Sequence, residues 1–174
     1  MRKFLLVVAL LVAAWWVFSG DERFACADDG ACPSSVDGAS GDARWARDRY
    51  ESIRTESLTA GLFYDGDGHQ HEFSSGDEDI SERIEDLLRS SRRVSMPAVG
   101  RHPTVTHVEP KVAMRMREGE VDRGVLVINH PEGPCPGVFS CSRTIEVVLP
   151  HGAALTVWWP DGDTMTSMTF VGKD

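Results

Sequence analysis

The chain has 174 residues, of which 41% are hydrophobic, and it carries a net charge of −9 at pH 7. This length is sufficient for one domain with a hydrophobic core and for appended segments. The acidic residues are concentrated between positions 21 and 100. The chain therefore lacks the overall basic character of proteins that bind nucleic acid tightly and non-specifically, although this does not exclude a local basic rim.

The N-terminal segment has the pattern of an export signal. Arg2 and Lys3 precede an unbroken apolar run over residues 4–18. Because this run is long for the core of a signal peptide and short for a membrane span, residues 1–20 are predicted to be either a cleaved signal peptide or an uncleaved anchor. We therefore expect the protein to be secreted or to be anchored to the cell membrane by residues 4–18.

Cys26 and Cys32 lie far from the other two cysteines of the chain. Cleavage after Ser19 would leave both available for a disulfide, whereas cleavage after Ala27 would remove Cys26. The sequence leaves these two outcomes open.

Residues 21–56 are predicted to form an acidic linker, because much of this segment is rich in Asp, Gly, Ala and Ser and has no apolar period. The spacing of Trp45, Arg49 and Ile53 indicates a short helix within residues 44–59, to which the sequence assigns no role. The folded domain is expected to comprise residues 57–174.

The domain begins with a predicted β-hairpin, whose strands over residues 58–64 and 69–73 are joined by a turn. The turn sequence Asp-Gly-Asp-Gly lacks the further ligands of an EF-hand calcium loop. His69 and His71 share one face of the second strand, and we interpret that face as exposed and polar because no third metal ligand is nearby.

The later elements alternate between helices and strands. Apolar spacing predicts a helix over residues 79–90, in which Asp79 and Glu82 have the spacing of a capping box. The two strands at the C-terminal end must pair antiparallel, because the turn between them has only about four residues. The remaining predicted elements are a helix over residues 107–118, a buried strand over 124–128, a helix over 141–148, and strands over 154–159 and 165–171.

Two short motifs, at residues 106–109 (THVE) and 134–141 (PCPGVFSC), contain one imidazole, one carboxylate and two thiols. His-x-Glu followed by Pro-Cys and a second cysteine is typical of zinc deaminases, in which three side chains hold the metal and a non-ligating Glu transfers protons. The interval between the motifs accommodates one helix and one strand, which would place two helix N-termini side by side.

Each of these residues also has a simpler interpretation when taken alone. His107 could cap a helix, and Cys135 and Cys141 could form a disulfide in an exported protein. The combination favours zinc ligation by His107, Cys135 and Cys141, with Glu109 close to the metal.

The segment over residues 73–162 resembles the bacterial double-stranded-DNA cytosine deaminase toxins of the DddA-like family. The resemblance rests on residues 73–76 (FSSG), the His-Val-Glu motif, residues 129–133 (NHPEG), the two cysteines, and residues 149–157. It implies an α/β, cytidine-deaminase-like three-layer fold, with a mixed five-stranded sheet that has helices on both faces.

The resemblance also implies the site residues. His107, Cys135 and Cys141 would bind Zn²⁺, and Glu109 would be the general acid and base that converts cytosine to uracil. The chain departs from the family's usual Cys-x2-Cys spacing, because five residues separate its cysteines. The extra residues would bulge beside the pocket and bear on substrate choice. The implied substrate-binding residues are Ser74, Ser75, His130, Pro131, Glu132 and Phe139.

The sequence therefore predicts an exported, zinc-dependent deaminase that converts cytosine to uracil in DNA and acts as an interbacterial toxin. The DNA substrate is double- or single-stranded, and double-stranded DNA is favoured. Such a toxin is expected to be a monomer, to have a cognate immunity protein as partner, and to contact the membrane if residues 1–20 are retained. Two alternatives stay open. One is a deaminase of RNA or free nucleosides, and the other is a non-catalytic binding domain with a Cys135–Cys141 disulfide.

Overall fold

The computed structural model describes residues 33–173. Their centre is one five-stranded sheet with the spatial order β2-β1-β3-β4-β5. The central pair β3 and β4 is parallel, and the other neighbouring strands are antiparallel. The strands are β1 (Ala60–Tyr64), β2 (Gln70–Ser74), β3 (Arg123–Ile128), β4 (Ala154–Asp161) and β5 (Thr164–Val171).

Helices cover both faces of this sheet. The first two pack on one face, around Tyr64 and Trp158, and the other three pack on the opposite face, around Phe63 and Leu155. The mixed sheet, the helices on both faces and the antiparallel final strands confirm the predicted α/β three-layer fold. The helices are α1 (Val36–Ser40), α2 (Ala43–Ile53), α3 (Asp79–Ser91), α4 (Val108–Glu118) and α5 (Cys141–Val148), and a 3-10 turn spans Pro103–Thr106.

The segment over residues 36–53 corrects the linker prediction. It forms α1 and α2, and the side chains of Val36, Trp45 and Ile53 are buried against the sheet. Both helices have good N-caps, because Ser35 Oγ accepts from Gly38 N at 3.1 Å and Asp42 Oδ1 accepts from Trp45 N at 3.0 Å. Tertiary packing, which composition does not report, stabilises these short helices.

The predicted elements from residue 58 onward all occur, with ends that differ by a few residues. The cap of α3 is one residue earlier than predicted. Its N-cap is Glu78, whose backbone N–H donates to Ser81 Oγ at 3.3 Å, in place of the predicted pair Asp79 and Glu82. Among residues 33–173, no helix is long and apolar enough to cross a membrane. The predicted export segment, together with Cys26 and Cys32, lies outside the described residues.

The hairpin turn has the expected role. Asp65 Oδ1 accepts from the backbone N–H groups of Asp67 at 3.1 Å and His69 at 3.0 Å, which closes the turn. His71 Nε2 lies 2.9 Å from Asp65 Oδ2. The two histidines of β2 and its turn are therefore engaged with the turn carboxylate.

The strand β3 is buried between the two helix layers. All of its residues after Arg123 are buried, because Val125 and Val127 face α1 and α2 while Leu126 and Ile128 face the other helices. On the latter face, Gly61 of β1 permits close packing of α4. A Cβ at that position would lie 2.6 Å from Val108 Cγ1, so glycine allows the start of α4 to rest directly on the sheet.

Candidate active site

Two helix N-termini meet on the face of the sheet that carries α3, α4 and α5. His107 is the N-cap of α4. Cys141 is the first residue of α5, whose N-cap Ser140 accepts from Arg143 N through its Oγ at 3.3 Å. Both residues thus lie at the partially positive end of a helix, where anionic ligands are stabilised. The predicted α-β-α passage produces this arrangement.

The predicted metal ligands converge. Cys135 Sγ lies 2.7 Å from Cys141 Sγ, and His107 Nδ1 lies 3.1 Å from Cys141 Sγ. All three ligand atoms lie within 4.8 Å of one another. In the described part of the chain, this is the one group of three His, Cys, Asp or Glu side chains that converges in this way. Both cysteines are free, so the structure does not contain the disulfide of the non-catalytic alternative.

The two sulfur atoms lie within hydrogen-bonding distance of each other. The Cys141 thiol donates a hydrogen bond that lowers the pKa of Cys135 to about 4, and the same contact raises the pKa of Cys141. The neighbouring Cys135 sulfur also raises the pKa of His107. The Cys141 backbone N–H donates to Cys135 Sγ at 3.1 Å, which further favours a thiolate there. Metal binding at this group would displace the Cys141 thiol proton.

The donor set fits zinc. His107 and Cys141 lie at two helix N-termini, and Cys135 lies in the loop before the second of these helices. One imidazole nitrogen and two thiolate sulfurs match a three-ligand catalytic site in which a fourth position is left for water or substrate. The five residues between the cysteines are accommodated, because Cys141 N also donates to Cys135 O at 3.0 Å across the base of that loop. Gly137, at the loop's tip, has a φ of +103°.

Glu109 lies in the first turn of α4, two residues beyond His107, as predicted. Its side chain is buried, and burial raises its pKa above the ordinary value of a carboxyl group. Pro110 is tolerated beside it because the amides of the first turn have no intrahelical partner. A buried carboxyl group whose pKa is raised holds its proton more readily than an exposed one, which suits a residue that both accepts and donates a proton.

A cavity of about 370 Å³ opens beside these groups. His107, Glu109 and Cys135 all contribute to its wall, and no Lys or Arg does. A larger groove of about 700 Å³ lies between α2 and β2 on the other face of the sheet and contains none of the predicted ligands. The smaller cavity is therefore the candidate active site. Its wall is formed by residues 58–59, 75–76, 106–109, 130, 133 and 135.

The six predicted substrate-binding residues do not all reach this cavity. Ser75 and His130 line it. The other four do not: Ser74 lines the larger groove, Pro131 and Glu132 are exposed in the turn after β3, and the Phe139 ring packs edge-on against His102 with centroids 5.4 Å apart.

One ring nitrogen of His130, a residue of the cavity wall, lacks a partner. His130 Nδ1 is buried and makes no hydrogen bond within the described structure. Because buried nitrogen atoms are nearly always paired, this atom is suited to bind a polar group of a substrate.

Lys111 stabilises one wall of the cavity through buried hydrogen bonds. Its side chain is completely buried, and Nζ donates to Ser74 O at 2.8 Å and to Glu78 Oε1 at 2.5 Å. A buried ammonium group is stable only when it is paired in this way. Gly76 N, within the same loop, donates to Thr106 O at 2.9 Å. The loop that carries Ser75 is thus tied to the segment that carries His107.

A buried polar chain supports the opposite side of the ligands. His102 Nδ1 lies 2.8 Å from Thr104 Oγ1, which lies 2.8 Å from Thr144 Oγ1 of α5. Thr144 Oγ1 in turn donates to Ser140 O at 3.2 Å. This chain joins the 3-10 turn before His107 to the start of α5, so it relates the two ligand-bearing helix ends. Sequence reasoning missed it, because single buried threonines have no distinctive pattern.

Comparison with known proteins gives a family match. A family model described as SCP1.201-like deaminase matches residues 31–174, which include both the ligand group and the helices α1 and α2. A search of curated proteins finds no match to the chain.

Proposed function

The chain belongs to the SCP1.201-like deaminase family, and we propose that it is a zinc-dependent deaminase that converts cytosine to uracil in DNA. The observation that carries the proposal is the convergence of His107, Cys135 and Cys141 at the wall of a cavity that also contains the buried carboxyl group of Glu109. This is the residue set of the zinc deaminases, with the glutamate in the cavity and outside the ligand group.

The chemistry assigned to this site is a hydrolysis. Water adds to C4 of cytosine, the C4 amino group leaves as ammonia, and uracil is the product. Zinc held by the three ligands would supply a Lewis acid for activating water. The Glu109 carboxylate accepts a proton from the attacking water and donates it to N3 of the base. It then accepts the proton of the new C4 hydroxyl group and donates it to the amino group, which leaves as ammonia.

The cavity is suited to a neutral nucleobase. It has no Lys or Arg in its wall to neutralise a phosphate, and His130 Nδ1 offers an unpaired ring nitrogen for the polar edge of a base. The phosphates of a nucleic acid would therefore remain outside the cavity. We assign Ser75 and His130 to substrate binding on this basis.

The resemblance of residues 73–162 to DddA-like toxins supports DNA as the substrate, with double-stranded DNA preferred, and an interbacterial toxin as the biological role. We further propose that the protein is exported or anchored through residues 4–18, acts as a monomer and is inhibited by a cognate immunity protein. The net charge of −9 and the absence of Lys and Arg from the cavity wall favour a second candidate, a deaminase of free nucleosides.

The test compares the wild-type chain with Glu109→Gln on cytosine-containing single-stranded DNA, double-stranded DNA and free deoxycytidine. Uracil in DNA is measured by glycosylase cleavage, and deoxyuridine is measured by chromatography. Because general acid and base catalysis typically contributes a factor of about 10² to 10⁴, Glu109→Gln should lower kcat by at least about 10²-fold while zinc content is retained.

Cys141→Ala should lose stoichiometric zinc, since it removes one of three ligands. Uracil formation by Glu109→Gln at the wild-type rate would refute the assigned mechanism. Wild-type activity on deoxycytidine alone would favour the nucleoside candidate. A wild-type chain that binds neither zinc nor cytosine would refute both.

A further inference from the structure

One apolar side chain of the cavity wall is strongly exposed. Leu58 is 57% exposed and lines the candidate active site, whereas Val108, the other aliphatic side chain in the wall, is completely buried. Val99, Val138, Met168 and Val171 are the other strongly exposed large apolar residues between positions 33 and 173, and none of them lines this cavity. Val108 thus forms part of the floor of the cavity, and Leu58 lies at its mouth.

Packing does not account for the position of Leu58. Because Leu58 is more exposed than buried, its side chain contributes less to the stability of the fold than a core leucine does. Its place at the mouth must therefore be explained by the backbone that carries it.

That backbone is held by Asn129, the residue directly after β3. Asn129 Nδ2 donates to Leu58 O at 3.1 Å and to Ile53 O at 3.1 Å, and Asn129 Oδ1 accepts from Ala60 N at 2.8 Å. Its backbone N–H also donates to Ala60 O at 3.1 Å. The Asn129 side chain thus binds main-chain atoms at the end of α2, in the connection to β1 and at the first residue of β1.

The same connection is hydrogen-bonded to the loop that follows β2. Ser75 N donates to Thr59 O at 2.8 Å, so residues 58–59 and 75–76 form a continuous rim. The rim is therefore built from hydrogen bonds to main-chain atoms, and these bonds do not depend on the nature of the Leu58 side chain. A rim of this kind presents Leu58 at a fixed place, which is what a selective contact requires.

We infer that Leu58 is a substrate-contacting residue that packs against the face of the target base, and that Asn129 is the positioning residue that presents it. The inference rests on the proposed function. A base held for chemistry is gripped by hydrogen bonds at its edge and by apolar or aromatic side chains on its faces. The cavity wall contains no Phe, Tyr or Trp, so an aliphatic contact from Leu58 takes the place of a stacking ring.

The test measures kcat and KM for a single-stranded oligodeoxynucleotide that contains one cytosine, with the full chain and its Leu58→Ser and Leu58→Met variants. A rim contact that is the same in the ground and transition states changes KM and leaves kcat unaltered. From the burial energy of a leucine side chain, Leu58→Ser should raise KM by about tenfold, with kcat within about twofold. Leu58→Met keeps the apolar volume and should restore the wild-type KM to within about threefold.

Val99→Ser is the matched control, because Val99 is 91% exposed and lies outside the cavity wall. It should leave both constants unchanged. Asn129→Ala, combined with Leu58→Ser, tests the positioning role. If Asn129 acts through Leu58, the double variant should have a KM no higher than that of Leu58→Ser alone.

A Leu58→Ser variant with wild-type KM and kcat would overturn the inference while leaving the deaminase function intact. Additive effects of the two substitutions on KM would overturn the positioning role of Asn129. If the wild-type chain forms no uracil, the proposed function fails and the inference fails with it. These three results are distinguishable within one set of measurements.

Discussion

Replacing Gly133 by alanine tests whether the cavity wall depends on close contact with the sheet. Gly133 has a φ of +64°, and a Cβ placed there would lie 2.5 Å from Trp159 Cε2 and 2.6 Å from Trp159 Cδ2. Real Cβ atoms do not approach ring carbon atoms so closely, so the indole of β4 or the loop must shift. Gly133 lies between His130 and Cys135, and a shift of this loop would disturb both sides of the cavity.

The expected cost has two parts. A non-glycine residue in the left-handed conformation costs about 1–2 kcal/mol. Forcing an extra methyl group into a packed contact costs about 1–3 kcal/mol more. For a chain of this size each kcal/mol lowers Tm by about 2–4 °C, so Gly133→Ala should lower Tm by roughly 5–15 °C.

Gly152→Ala is the control that separates the two parts. Gly152 has a φ of +76°, but a Cβ there would meet no atom within 4 Å. It should therefore show only the backbone cost, a Tm reduction of about 2–8 °C. Thermal unfolding followed by circular dichroism measures both variants. Equal Tm values for Gly133→Ala and Gly152→Ala would refute the claim that the loop is packed against Trp159.

Two further outcomes follow from burial. His102 is buried, and burial lowers its pKa. Its neutral form therefore stabilises the fold above about pH 6.5, the ordinary pKa of histidine. As the pH falls below that value, this stability is lost at up to about 1.4 kcal/mol per pH unit. Chemical unfolding between pH 8 and pH 5 should show a shallower loss for His102→Asn than for the wild type, and parallel curves would contradict this assignment. A chain that starts at residue 55 lacks α1 and α2 and exposes the face around Leu62, Tyr64, Val125, Val127 and Trp158. The burial free energy lost is about 1.5–3 kcal/mol for each of these side chains, and the sum rivals the entire stability of a domain. Size-exclusion chromatography of this fragment should therefore show aggregated or unfolded protein. A monomeric fragment that unfolds cooperatively would count against the role of these helices.

Local sequence patterns were sufficient for the ligand group and for most of the elements. His107 and Glu109 occupy one helical turn, and Cys141 begins a helix with an apolar stripe, so short-range periodicity predicts where their side chains lie. The turn between β4 and β5 forces antiparallel pairing without reference to any other part of the chain. The uninterrupted apolar residues of β3 also required that both faces of the sheet be covered.

Only the tertiary structure decided what covers the second face and what completes the cavity. The helices α1 and α2 are short and polar in composition, and Ala39 and Trp45 pack them against the strands of the sheet. Some of these contacts join residues more than a hundred positions apart in the sequence. In one of them, Trp158 Nε1 donates to Ala39 O at 3.2 Å. Composition reports the average polarity of a segment, and it carries no information about such a distant partner. The same limit applies to Leu58, which enters the cavity wall because Asn129, the residue directly after β3, binds its backbone. The positions of side chains within one helical turn could therefore be predicted from the sequence, whereas walls built from long-range hydrogen bonds required the folded chain.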